Sequence, residues 1–497
     1  MDYWYNVFGM TTGKEIKVID INSEFYGTPA SELMENAGKG LARFIKKNIS
    51  DDKNILFFCG KGNNAGDGFV AARYLSEKYK INLFLVGKKE DIKSNISRKN
   101  YEKLKNRNIK LYDIDSLDKV NDLLSECDVI IDGMLGIGIK GKLRSPFDKI
   151  VEKINKTSDK IVISVDIPTG IGTSLSIKPD FTVTFHDKKE NMNKKNSGEI
   201  KIVDIKVPEK AKSYVGPGEL SVYYPRSSKK SHKGDNGKVL IVGGGLYTGA
   251  PALSALACLR AGVDLVYVAA PSQSANTISS YSPNLIVIPM ESQNYLVTND
   301  FEKISDLLKK VDTLVIGPGL GVKKESKELC FSVIKKTIDF RKNLVIDADA
   351  ISAISKNQEV IKDSNSVITP HVGEFKKLTG VDLSDSKREK RKEIVEKWAS
   401  SLNTTILLKS KVDIISNGIN TKFNDIHNEA MTVGGTGDVL SGITAAMLSK
   451  NICPFNSARI SAFINGYAGN LCFDKYSYGL LATDIIEEIP TLLKKYL

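Results

Sequence analysis

The residues with the clearest chemical content lie in a glycine-rich stretch at positions 428–448. Gly434, Gly435 and Gly437 precede Asp438, and an apolar segment rich in small residues follows. Glycines let the backbone approach a ligand closely, and the free N–H groups at a helix start bind anions. A carboxylate repels phosphate, but it can accept the proton of a hydroxyl group beside a polyphosphate. The stretch therefore predicts a site for a nucleotide and a hydroxyl-bearing substrate, with Asp438 as the base.

A second glycine-rich segment, at positions 60–68, lies between an apolar run and a helical stretch. Rossmann-like units hold phosphate groups at this position, where the first strand leads into a helix. Asn63, Asn64 and Asp67 interrupt the glycines and offer amides for a polar ligand or a monovalent cation, and a carboxylate for a hydroxyl group. The alternative is a glycine turn that is capped by Asn and Asp side chains and binds nothing.

Two more acids stand at the ends of apolar runs in the same half. Asp132 follows the run 128–131, and Asp166 lies near the end of the run 160–167. Ligands gather at the carboxyl ends of parallel strands, although each acid alone could cap a helix or close a turn. Because both acids and the asparagine loop follow predicted parallel strands, we expect them to line one crevice at the carboxyl ends of those strands.

Strand ends in the second half carry glycine-rich or polar segments. Positions 243–252 follow a strand and open a helix, and positions 317–321 end another strand. His371 lies in a turn shaped by proline and glycine, which favours substrate contact over a structural role. Lys409 stands where a strand leaves the sheet and suits a nucleotide phosphate.

The bulk composition limits the classes of protein to consider. A chain of 497 residues is too long for one ordinary core and predicts two or three domains. The sequence has no apolar run long enough to cross a bilayer and no signal-peptide pattern after Met1. We therefore expect a cytoplasmic protein without membrane association.

Zinc-binding, disulfide-rich and nucleic-acid-binding classes are disfavoured. The six cysteines and four histidines are widely separated, which favours reduced, buried thiols over disulfides, zinc or a histidine-based metal cluster. The net charge of +12 comes from lysines scattered along the chain, without an aromatic and basic RNA-binding signature. We expect a solvated lysine-rich surface that helps to attract phosphorylated substrates, and no nucleic-acid partner.

Alternating apolar runs and helical stretches predict two α/β regions with mostly parallel, doubly wound sheets. In the first region, helices are predicted at 15–25 and 30–49, and strands at 54–59, 81–86, 128–131, 160–167, 181–185 and 199–205. In the second region, strands are predicted at 238–242, 265–269, 313–316, 343–346, 367–369 and 405–408. A polar stretch with proline and glycine separates them, so we predict domains over 1–224 and 236–497, joined by a linker over 225–235.

The first half resembles the NAD(P)H-hydrate epimerase family over residues 10–215. The shared motifs are Asn-Asn-x-Gly-Asp-Gly at 63–68, Asp-x-x-x-Gly-x-Gly at 132–138 and Val-Asp-Ile-Pro-Thr-Gly at 165–170. The resemblance implies a Rossmann-like fold and substrate contacts at Asn63, Asn64, Ala65, Gly66, Asp67, Gly136, Ile137, Gly138, Ile139, Lys140, Gly141, Lys142 and Asp166. It also implies a potassium site formed by Asn64, Asp132 and Thr169, where Thr169 replaces the usual Ser but keeps the hydroxyl oxygen. Lys140 is our candidate catalytic partner for Asp166.

The second half resembles the ribokinase-like superfamily and, within it, the NAD(P)H-hydrate dehydratase family over residues 230–497. The shared motifs are Ser-His-Lys-Gly at 231–234, Gly-Ala-Pro at 249–251, Gly-Pro-Gly-Leu-Gly at 317–321, Thr-Pro-His-x-Gly-Glu at 369–374 and Gly-Gly-x-Gly-Asp-Val-Leu-Ser-Gly at 434–442. The resemblance implies hydrate contacts at Ala250, Gly319, His371 and Asp438, and adenine-nucleotide contacts at Lys409, Ser410, Lys411, Val412, Asp413 and Gly437. Ser410 departs from the glycine that is usual in the nucleotide loop, and Glu429 departs from a small residue or proline.

Together the resemblances imply a bifunctional enzyme that repairs hydrated NADH and NADPH. The first half would interconvert the R and S epimers at C6, with Asp166 as acid or base. The second half would dehydrate the S form, with Asp438 deprotonating the C6 hydroxyl so that it attacks the terminal phosphoryl group of ADP bound with Mg²⁺. The fusion of the two halves favours ADP over ATP by analogy with prokaryotic family members, and a homo-oligomer is expected by analogy as well.

Two alternatives stay open at this point. The second half could be a vitamin-type kinase, since the Gly-x-Gly-Asp helix start is shared, and it would then leave a stable phosphorylated product. The first half could be a non-catalytic nucleotide- or RNA-binding module, because related Rossmann-like domains serve in RNA-processing assemblies. The His371 turn and the Gly-Ala-Pro loop argue against the kinase, and Asp132 and Asp166 argue against the non-catalytic module.

Overall fold

The chain folds into two α/β units, divided between Lys212 and Ser213. The computed structural model describes residues 12–136, 138 and 141–497. Ile137, Ile139 and Lys140 lie outside the described residues, so the roles predicted for them, including that of Lys140 in catalysis, stay predictions.

The first unit contains, within the described residues, one sheet of seven strands. The strands are β1 (Asn54–Cys59), β2 (Lys80–Leu85), β3 (Ile109–Tyr112), β4 (Val129–Gly133), β5 (Ile161–Val165), β6 (Phe181–Phe185) and β7 (Glu199–Val203). Their order is β3-β2-β1-β4-β5-β6-β7, and neighbouring strands are parallel. The central strands are buried along almost their whole length, as the apolar side chains of a parallel sheet covered on both faces require.

The helices of the first unit connect these strands. In the part of the chain that the structure describes, they are α1 (Gly13–Phe25), α2 (Ala30–Asn48), α3 (Asn63–Leu75), α4 (Asn95–Glu102), α5 (Val120–Glu126), α6 (Phe147–Asn155), α7 (Lys194–Ser197) and α8 (Glu209–Ser213). Helix α2 buries a stripe of residues at helical spacing that includes Leu33, Ala37 and Leu41. Gly38 lets α2 lie close to α3, because a Cβ there would come within 2.3 Å of the Val70 Cβ.

The strand order creates a crevice at one edge of the first sheet. After β1 the chain crosses to β2, whereas β4 and β5 lie on the other side of β1. Ligands bind in α/β sheets outside the carboxyl ends of the strands where the order reverses in this way. The loops after β1, β4 and β5 therefore face one another, and they carry the three sequence motifs of this half.

The second unit contains, among the residues described, one sheet of nine strands. They are β8 (Lys238–Val242), β9 (Leu265–Ala270), β10 (Ile286–Pro289), β11 (Thr313–Ile316), β12 (Asn343–Ile346), β13 (Ser366–Ile368), β14 (Thr405–Leu408), β15 (Asp413–Ser416) and β16 (Thr421–Asn424). The order is β10-β9-β8-β11-β12-β13-β14-β15-β16. The pairs from β10 to β14 are parallel, and β15 and β16 continue the sheet as an antiparallel hairpin.

The second unit includes two helices that lie largely in its interior. Most residues of α17 (Thr436–Ser449) and much of α18 (Pro454–Tyr476) are buried. The helices of this unit are α9 (Pro217–Tyr223), α10 (Gly249–Arg260), α11 (Ser272–Ser280), α12 (Phe301–Leu308), α13 (Lys324–Asp339), α14 (Asp349–Ile354), α15 (Val372–Thr379), α16 (Arg388–Leu402), α17 (Thr436–Ser449), α18 (Pro454–Tyr476) and α19 (Ala482–Tyr496). Gly442 allows α17 to contact α10, since a Cβ there would lie 2.2 Å from the Ser254 carbonyl oxygen.

The predicted α/β architecture is confirmed in both halves, but four strands were missed. Strands β3 and β10 lie at the edges of their sheets and are only partly buried. Lys110 interrupts β3, which therefore lacks the continuous apolar run by which the others were recognised. Strand β10 has an apolar run, Ile286–Pro289, that was not assigned to a strand. Strands β15 and β16 are short, and polar residues occupy half of β15 and three of the four positions of β16. Their identity depends on pairing with β14 rather than on local pattern.

The division between the units lies earlier in the chain than residue 224, where the sequence places it. The Val215 N–H donates to the Phe423 carbonyl oxygen at 2.8 Å, and helix α9 presents Glu219 to Arg459 of α18. The polar stretch 225–235 has neither helix nor strand, which explains why it resembles a boundary. Long-range contacts of this kind leave no local pattern in the sequence.

The six cysteines lie within the described residues and carry free thiols. All are buried except Cys453, which is partly exposed. Burial raises the pKa of each of these thiols, to about 11 for Cys127 and about 12 for Cys472. Among the described residues, none of the helices has both the length and the apolar character needed to cross a membrane.

The Glu219–Arg459 ion pair anchors the start of the second unit. The Arg459 guanidinium is 2% exposed and donates to Glu219 at 2.8 Å and to Asn456 at 2.9 Å. Breaking such a pair leaves an uncompensated buried charge, whereas replacing both partners by apolar residues is far better tolerated.

Arg459→Met should therefore lower the free energy of unfolding of the second unit by about 3–5 kcal/mol, and Glu219→Leu in the same chain should recover much of this loss. Denaturant unfolding can be followed by Trp398 fluorescence in a Trp4→Phe background, which leaves one of the two tryptophans. The control is Arg260→Met, which removes an exposed pair with Glu487 and should cost less than about 1 kcal/mol. Equal losses for Arg459→Met and Arg260→Met would contradict the assigned role.

Candidate active sites

The first candidate site forms around Asp132, at the end of β4. This carboxylate is fully buried and accepts hydrogen bonds from the Ser164 hydroxyl at 2.9 Å and from the Thr169 N–H and hydroxyl at 2.9 and 2.6 Å. Burial raises the pKa of Asp132, while these hydrogen bonds and that of the Met134 N–H act in the opposite direction. The carboxylate thus fixes the turn after β5 against the end of β4.

Oxygen atoms converge beside this turn. The Leu135 carbonyl oxygen receives only long contacts of 3.4 Å, from the Asn64 amide and the Thr169 hydroxyl. Asn64 Oδ1 is buried, and within the described residues it has no hydrogen-bond partner. A buried amide oxygen without a partner is costly unless an ion or water satisfies it. The oxygens of Asn64, Asp132, Thr169 and Leu135 therefore fit a hard monovalent cation.

Asp166, directly after β5, is held in an unusual conformation. Its φ of 61° lies in the left-handed region, which a non-glycine residue rarely adopts. Its Oδ1 accepts from the Phe185 N–H at 3.1 Å and the Thr184 hydroxyl at 3.2 Å, and it pairs with the Lys189 ammonium. Lys189 follows β6 at the same edge of the sheet and is buried.

Two further carboxyl groups lie near Asp166. Burial raises the pKa of Asp67, on the first turns of α3, well above its usual range, and the charges of Asp166 and Asp20 add to this effect. The enclosing protein likewise raises the pKa of Asp20, on α1, to about 6, although water still reaches part of this side chain. Lys189 opposes both shifts. Burial and mutual repulsion therefore favour the protonated forms of Asp67 and Asp20, and Lys189 favours their ionised forms.

A cavity of about 150 Å³ opens beside this group. Its lining, in the part of the chain described, combines the loop after β4, the turn after β5 and the loop after β6, and consists of Gly13, Gly136, Gly138, Ile167, Pro168, Ile171, Lys189, Glu190 and Asn191. Two of the three sequence motifs of this half, at 132–138 and 165–170, thus line the cavity, and Asn64 of the third contacts the first of them at the Leu135 carbonyl oxygen.

The predicted substrate contacts of the first unit fall into two sets. Asn64, Ala65 and Gly66 are buried at the start of α3, and a Cβ on Gly136 would lie 3.5 Å from the Asn64 Cβ. Asn63, Gly138, Gly141 and Lys142 are exposed. The buried set shapes the site, and the exposed set can reach only a ligand that extends towards solvent.

The second candidate site forms where α17 begins. Its N-cap residue, Gly435, has a φ of 99°, and a Cβ there would lie 2.6 Å from Leu253 Cδ1, so both conformation and space require glycine. The Asp438 carbonyl accepts a hydrogen bond from the Ser254 hydroxyl of α10 at 2.9 Å. The start of α17 is therefore fixed against α10, with the N–H groups of its first turn free for an anion.

Lys409, directly after β14, brings the acids of this site together. Its ammonium donates to Asp347 at 2.9 Å and lies 3.8 Å from Glu374, and a Cβ on Gly437 would lie 3.4 Å from it. Burial alone would lower the pKa of Lys409, but the charges of Asp347, Glu374 and Asp438 outweigh burial and raise it. The lysine therefore stays charged.

Asp438 has the electrostatic character of a general base. Its pKa is raised to about 7, mainly by burial and also by the charges of Asp347, Glu374 and Asp349, while Lys409 acts in the opposite direction. A base with a pKa close to the working pH combines a useful fraction in the ionised state with a strong tendency to accept a proton. Such a shift at the carboxyl edge of a sheet is typical of an active site.

His371 caps helix α15 and remains accessible. Its Nδ1 accepts from the Gly373 and Glu374 N–H groups at 2.9 and 3.3 Å, while the backbone N–H of His371 donates to the Glu374 carboxylate at 2.8 Å. The side chain is 59% exposed. Since Nδ1 is an acceptor, Nε2 carries the proton of the neutral ring and is the nitrogen that a ligand can meet.

The glycine loops after β8 and β11 lie against each other. Gly319 has a φ of 64°, and a Cβ there would lie 2.5 Å from the Tyr247 carbonyl oxygen and 3.5 Å from the Ala250 Cβ. Ala250 stands one helical turn before Ser254, which bonds to Asp438. The predicted hydrate contacts Ala250 and Gly319 are therefore on the same side of the site as Asp438.

The predicted nucleotide loop is a turn organised by its own acid. The Asp413 carboxylate accepts from the Ser410 N–H and from the Asn424 amide, both at 2.9 Å. Burial raises the pKa of Asp413. Ser410, in place of the usual glycine, donates through its hydroxyl to the Val412 carbonyl oxygen at 2.5 Å, and Lys411 is exposed. The serine thus closes the turn rather than distorting it.

Several charged residues of these sites were missed from the sequence. Lys189 and Asp20 in the first unit, and Asp347 and Glu374 in the second, had no predicted role. Their place in the chain could have indicated a role for two of them, because Lys189 and Asp347 follow β6 and β12 at the same edge of the sheet as the predicted residues. Among the described residues, no group of three His, Cys, Asp or Glu side chains could hold a metal ion.

Comparisons with known proteins bear on both units. The chain matches the family model described as NAD(P)H-hydrate dehydratase over residues 239–491, and the model described as YjeF-related protein N-terminus over residues 30–191. A solved structure of a ribokinase-like superfamily protein from Enterococcus faecalis V583 is 25% identical, with a TM-score of 0.50, and covers 57% of this chain and 96% of that one. The ribokinase-like fold predicted for the second half is thus confirmed.

Curated relatives match almost the whole chain. The bifunctional NAD(P)H-hydrate repair enzyme of Archaeoglobus fulgidus is 39% identical over 490 residues, which cover 96% of this chain and 97% of the relative. That of Methanocaldococcus jannaschii is 39% identical over 496 residues, with coverages of 97% and 93%. The ADP-dependent (S)-NAD(P)H-hydrate dehydratase of Nitrosopumilus maritimus is 42% identical over 275 residues, which cover 55% of this chain and 94% of the relative. The chain therefore belongs to the family of bifunctional NAD(P)H-hydrate repair enzymes.

Proposed function

We propose that this enzyme restores NADH and NADPH that have gained water across the nicotinamide C5–C6 bond. The first unit interconverts the R and S epimers at C6, and the second unit dehydrates the S epimer at the expense of ADP. The observation that carries the proposal is Asp438, a carboxyl group with a pKa of about 7 at a helix start, beside the charged Lys409. This arrangement suits the transfer of a phosphoryl group to a hydroxyl.

In the second unit, Asp438 takes the proton of the C6 hydroxyl, and the resulting oxygen attacks the terminal phosphoryl group of ADP. AMP leaves, and a phosphate ester forms at C6. The C6–O bond then breaks with its electron pair on the phosphate, while C5 loses a proton, so that the products are NAD(P)H, AMP and phosphate. Phosphate leaves far more readily than hydroxide, which is the reason for consuming the nucleotide.

The remaining residues of the second site bind and orient the hydrate and the nucleotide. The N–H groups at the start of α17 and the Lys409 ammonium stabilise the charge on the transferred phosphoryl group. Ala250, Gly319 and His371 contact the hydrate, and Lys409–Asp413 with Gly437 contact the nucleotide. Magnesium held by the phosphates, with Asp347 and Glu374 as candidate carboxylate ligands, would neutralise phosphate charge.

In the first unit, epimerisation needs the C6–O bond to break and to form again on the other face. The ring nitrogen supplies the electron pair as the protonated hydroxyl leaves as water, and a base takes the proton when water returns. Asp166 is the group that we propose for this proton transfer. The loops 63–67 and 136–142 bind the rest of the substrate, and potassium binds at Asn64, Asp132 and Thr169.

ADP is the proposed phosphoryl donor because a relative that is 42% identical over 275 residues is named as ADP-dependent. We further propose a cytoplasmic location, which the free, buried cysteines support, since such thiols persist in a reducing compartment. A homo-oligomer stays a prediction, which light scattering coupled to gel filtration can test.

The direct experiment follows absorbance at 340 nm when chemically hydrated NADH is incubated with the enzyme, Mg²⁺ and either ADP or ATP. Recovery of the full signal from a mixed R/S substrate, with release of free phosphate, supports both activities. A stable phosphorylated product without recovery of NADH would instead favour a kinase.

Asp438→Asn should lower kcat for dehydration on the order of 10³-fold, because the amide cannot accept the hydroxyl proton. Epimer exchange, measured separately by chromatography of the two epimers, should be unchanged. The proposal for Asp438 fails if the variant dehydrates the S epimer at a rate close to that of the unmodified enzyme.

The pH dependence should follow the ionisation of Asp438. Dehydration requires the deprotonated base, so kcat/KM should rise with a slope of about one log unit per pH unit below pH 7 and level off above it. Removing the carboxylate that raises this pKa, in Asp347→Asn, should move the midpoint down, and removing the opposing charge, in Lys409→Met, should move it up. Shifts in the same direction for both variants would contradict this electrostatic assignment.

Potassium should act on the first unit through the Thr169 hydroxyl. Thr169→Val removes one proposed ligand and should raise the half-saturating potassium concentration for epimer exchange by about 10–100-fold. Thr169→Ser keeps the hydroxyl oxygen and should leave this concentration close to that of the unmodified enzyme. The measurement is the rate of epimer exchange over a range of KCl concentrations at constant ionic strength, kept with tetramethylammonium chloride. Exchange that is independent of potassium in the unmodified enzyme would remove the cation from the proposal.

A further inference from the structure

The Lys189 ammonium is a prominent feature of the first unit that the proposed chemistry does not use. Its side chain is 4% exposed, and it pairs with the Asp166 carboxylate. It also donates to the Thr184 hydroxyl at 2.8 Å and to the Phe185 carbonyl oxygen at 2.6 Å. Since an ammonium group has three N–H bonds, all its donors are used within the protein. Lys189 is therefore fixed in place and is not free to swing towards a ligand.

These contacts act on one oxygen of Asp166. Oδ1 receives the Lys189 ammonium, the Thr184 hydroxyl and the Phe185 N–H. Within residues 12–136, 138 and 141–497, no donor contacts Oδ2. The Asp166 side chain is 19% exposed, and its neighbours Ile167 and Lys189 line the cavity. Oδ2 is thus the oxygen that is left for a bound molecule.

The surrounding charges give Lys189 a second effect. Asp20 on α1 and Asp67 on α3 both feel the negative charge of Asp166, and Lys189 is the cation that opposes it. Without Lys189, this cation would no longer offset the repulsion that Asp166 exerts on Asp20 and Asp67, and their protonated forms would be favoured further.

We propose that Lys189 is a positioning residue for epimerisation, which holds Oδ1 of Asp166 in place and leaves Oδ2 to exchange the proton of the C6 hydroxyl or of the returning water. This inference rests on the proposed epimerase activity, and the catalytic role predicted for Lys140 stays a prediction. The proton removed from water on one face returns to the leaving hydroxyl on the other, so that no oxidant or further reactant is consumed.

The test compares Lys189→Met and Lys189→Arg in the full-length enzyme, with Lys188→Met as a matched control from the same loop. Lys188 is partly exposed. Epimer exchange is measured by chromatography over a range of pH, and dehydration of pure S epimer is measured in the same preparation. Lys189→Met should lower kcat/KM for exchange on the order of 10²-fold. Its pH profile should move to higher pH, because loss of the cation raises the pKa of Asp20 and Asp67.

Lys189→Arg keeps the charge and should retain the original midpoint of the pH profile, even if geometry lowers the rate. Lys188→Met should behave as the unmodified enzyme. If Lys189→Met does not fold, Thr184→Val replaces it, since this change removes the hydroxyl that links Lys189 to Asp166 while keeping the shape of the side chain. It should lower the exchange rate by about tenfold and leave dehydration unchanged.

Two results would overturn the inference. If Lys189→Met exchanges the epimers at the rate and with the pH profile of the unmodified enzyme, the ammonium is dispensable. If its rate is lower but its pH profile has not moved, the role of Lys189 is purely structural. Absence of exchange in the unmodified enzyme is distinguishable from both, because it would overturn the proposed epimerase activity itself and this inference with it.

Discussion

Compensation of buried carboxylates by an enclosed lysine is the interaction on which both sites depend. In the second unit, Lys409 lies among Asp347, Glu374 and Asp438, and its pKa is raised despite burial because the acids outweigh the loss of hydration. In the first unit, the buried Lys189 pairs with Asp166 and opposes the rise in the pKa of Asp67 and Asp20. Each lysine allows acids to be close to one another while at least one remains ionised. A site that must both accept and release protons near neutral pH needs this balance.

The two sheets place these groups by the same geometric rule. Asp132 and Asp166 lie at or directly after the ends of β4 and β5, while Asp347 and Lys409 directly follow β12 and β14. Because parallel strands have their carboxyl ends at one edge, residues far apart in sequence become neighbours there. Loops at that edge are free to carry function, whereas the strands themselves are committed to packing.

Much of this arrangement could be predicted from the sequence, because strands buried on both faces are continuous apolar runs and the motifs follow them. The bounds of β1, β6, β8, β11, β12 and β14 were predicted to the residue. The edge strand β3 could not be found in this way, since Lys110 interrupts its apolar run, and the apolar run of the edge strand β10 was overlooked. The roles of Lys189, Asp20 and Glu219 were also missed, since each depends on a partner distant in sequence. Local patterns report whether a residue is buried, but they do not report which charge it meets.

The state of the cysteines has a practical consequence for the study of this enzyme. The thiolate, not the thiol, reacts with alkylating reagents, and burial both raises the pKa of these thiols and blocks access to most of them. The native chain should therefore react slowly with maleimides under mild conditions. A cysteine introduced at an exposed position of each unit would accept a fluorescent dye selectively without removal of the native thiols. The distance between the two units could then be followed by energy transfer while the enzyme turns over its substrate.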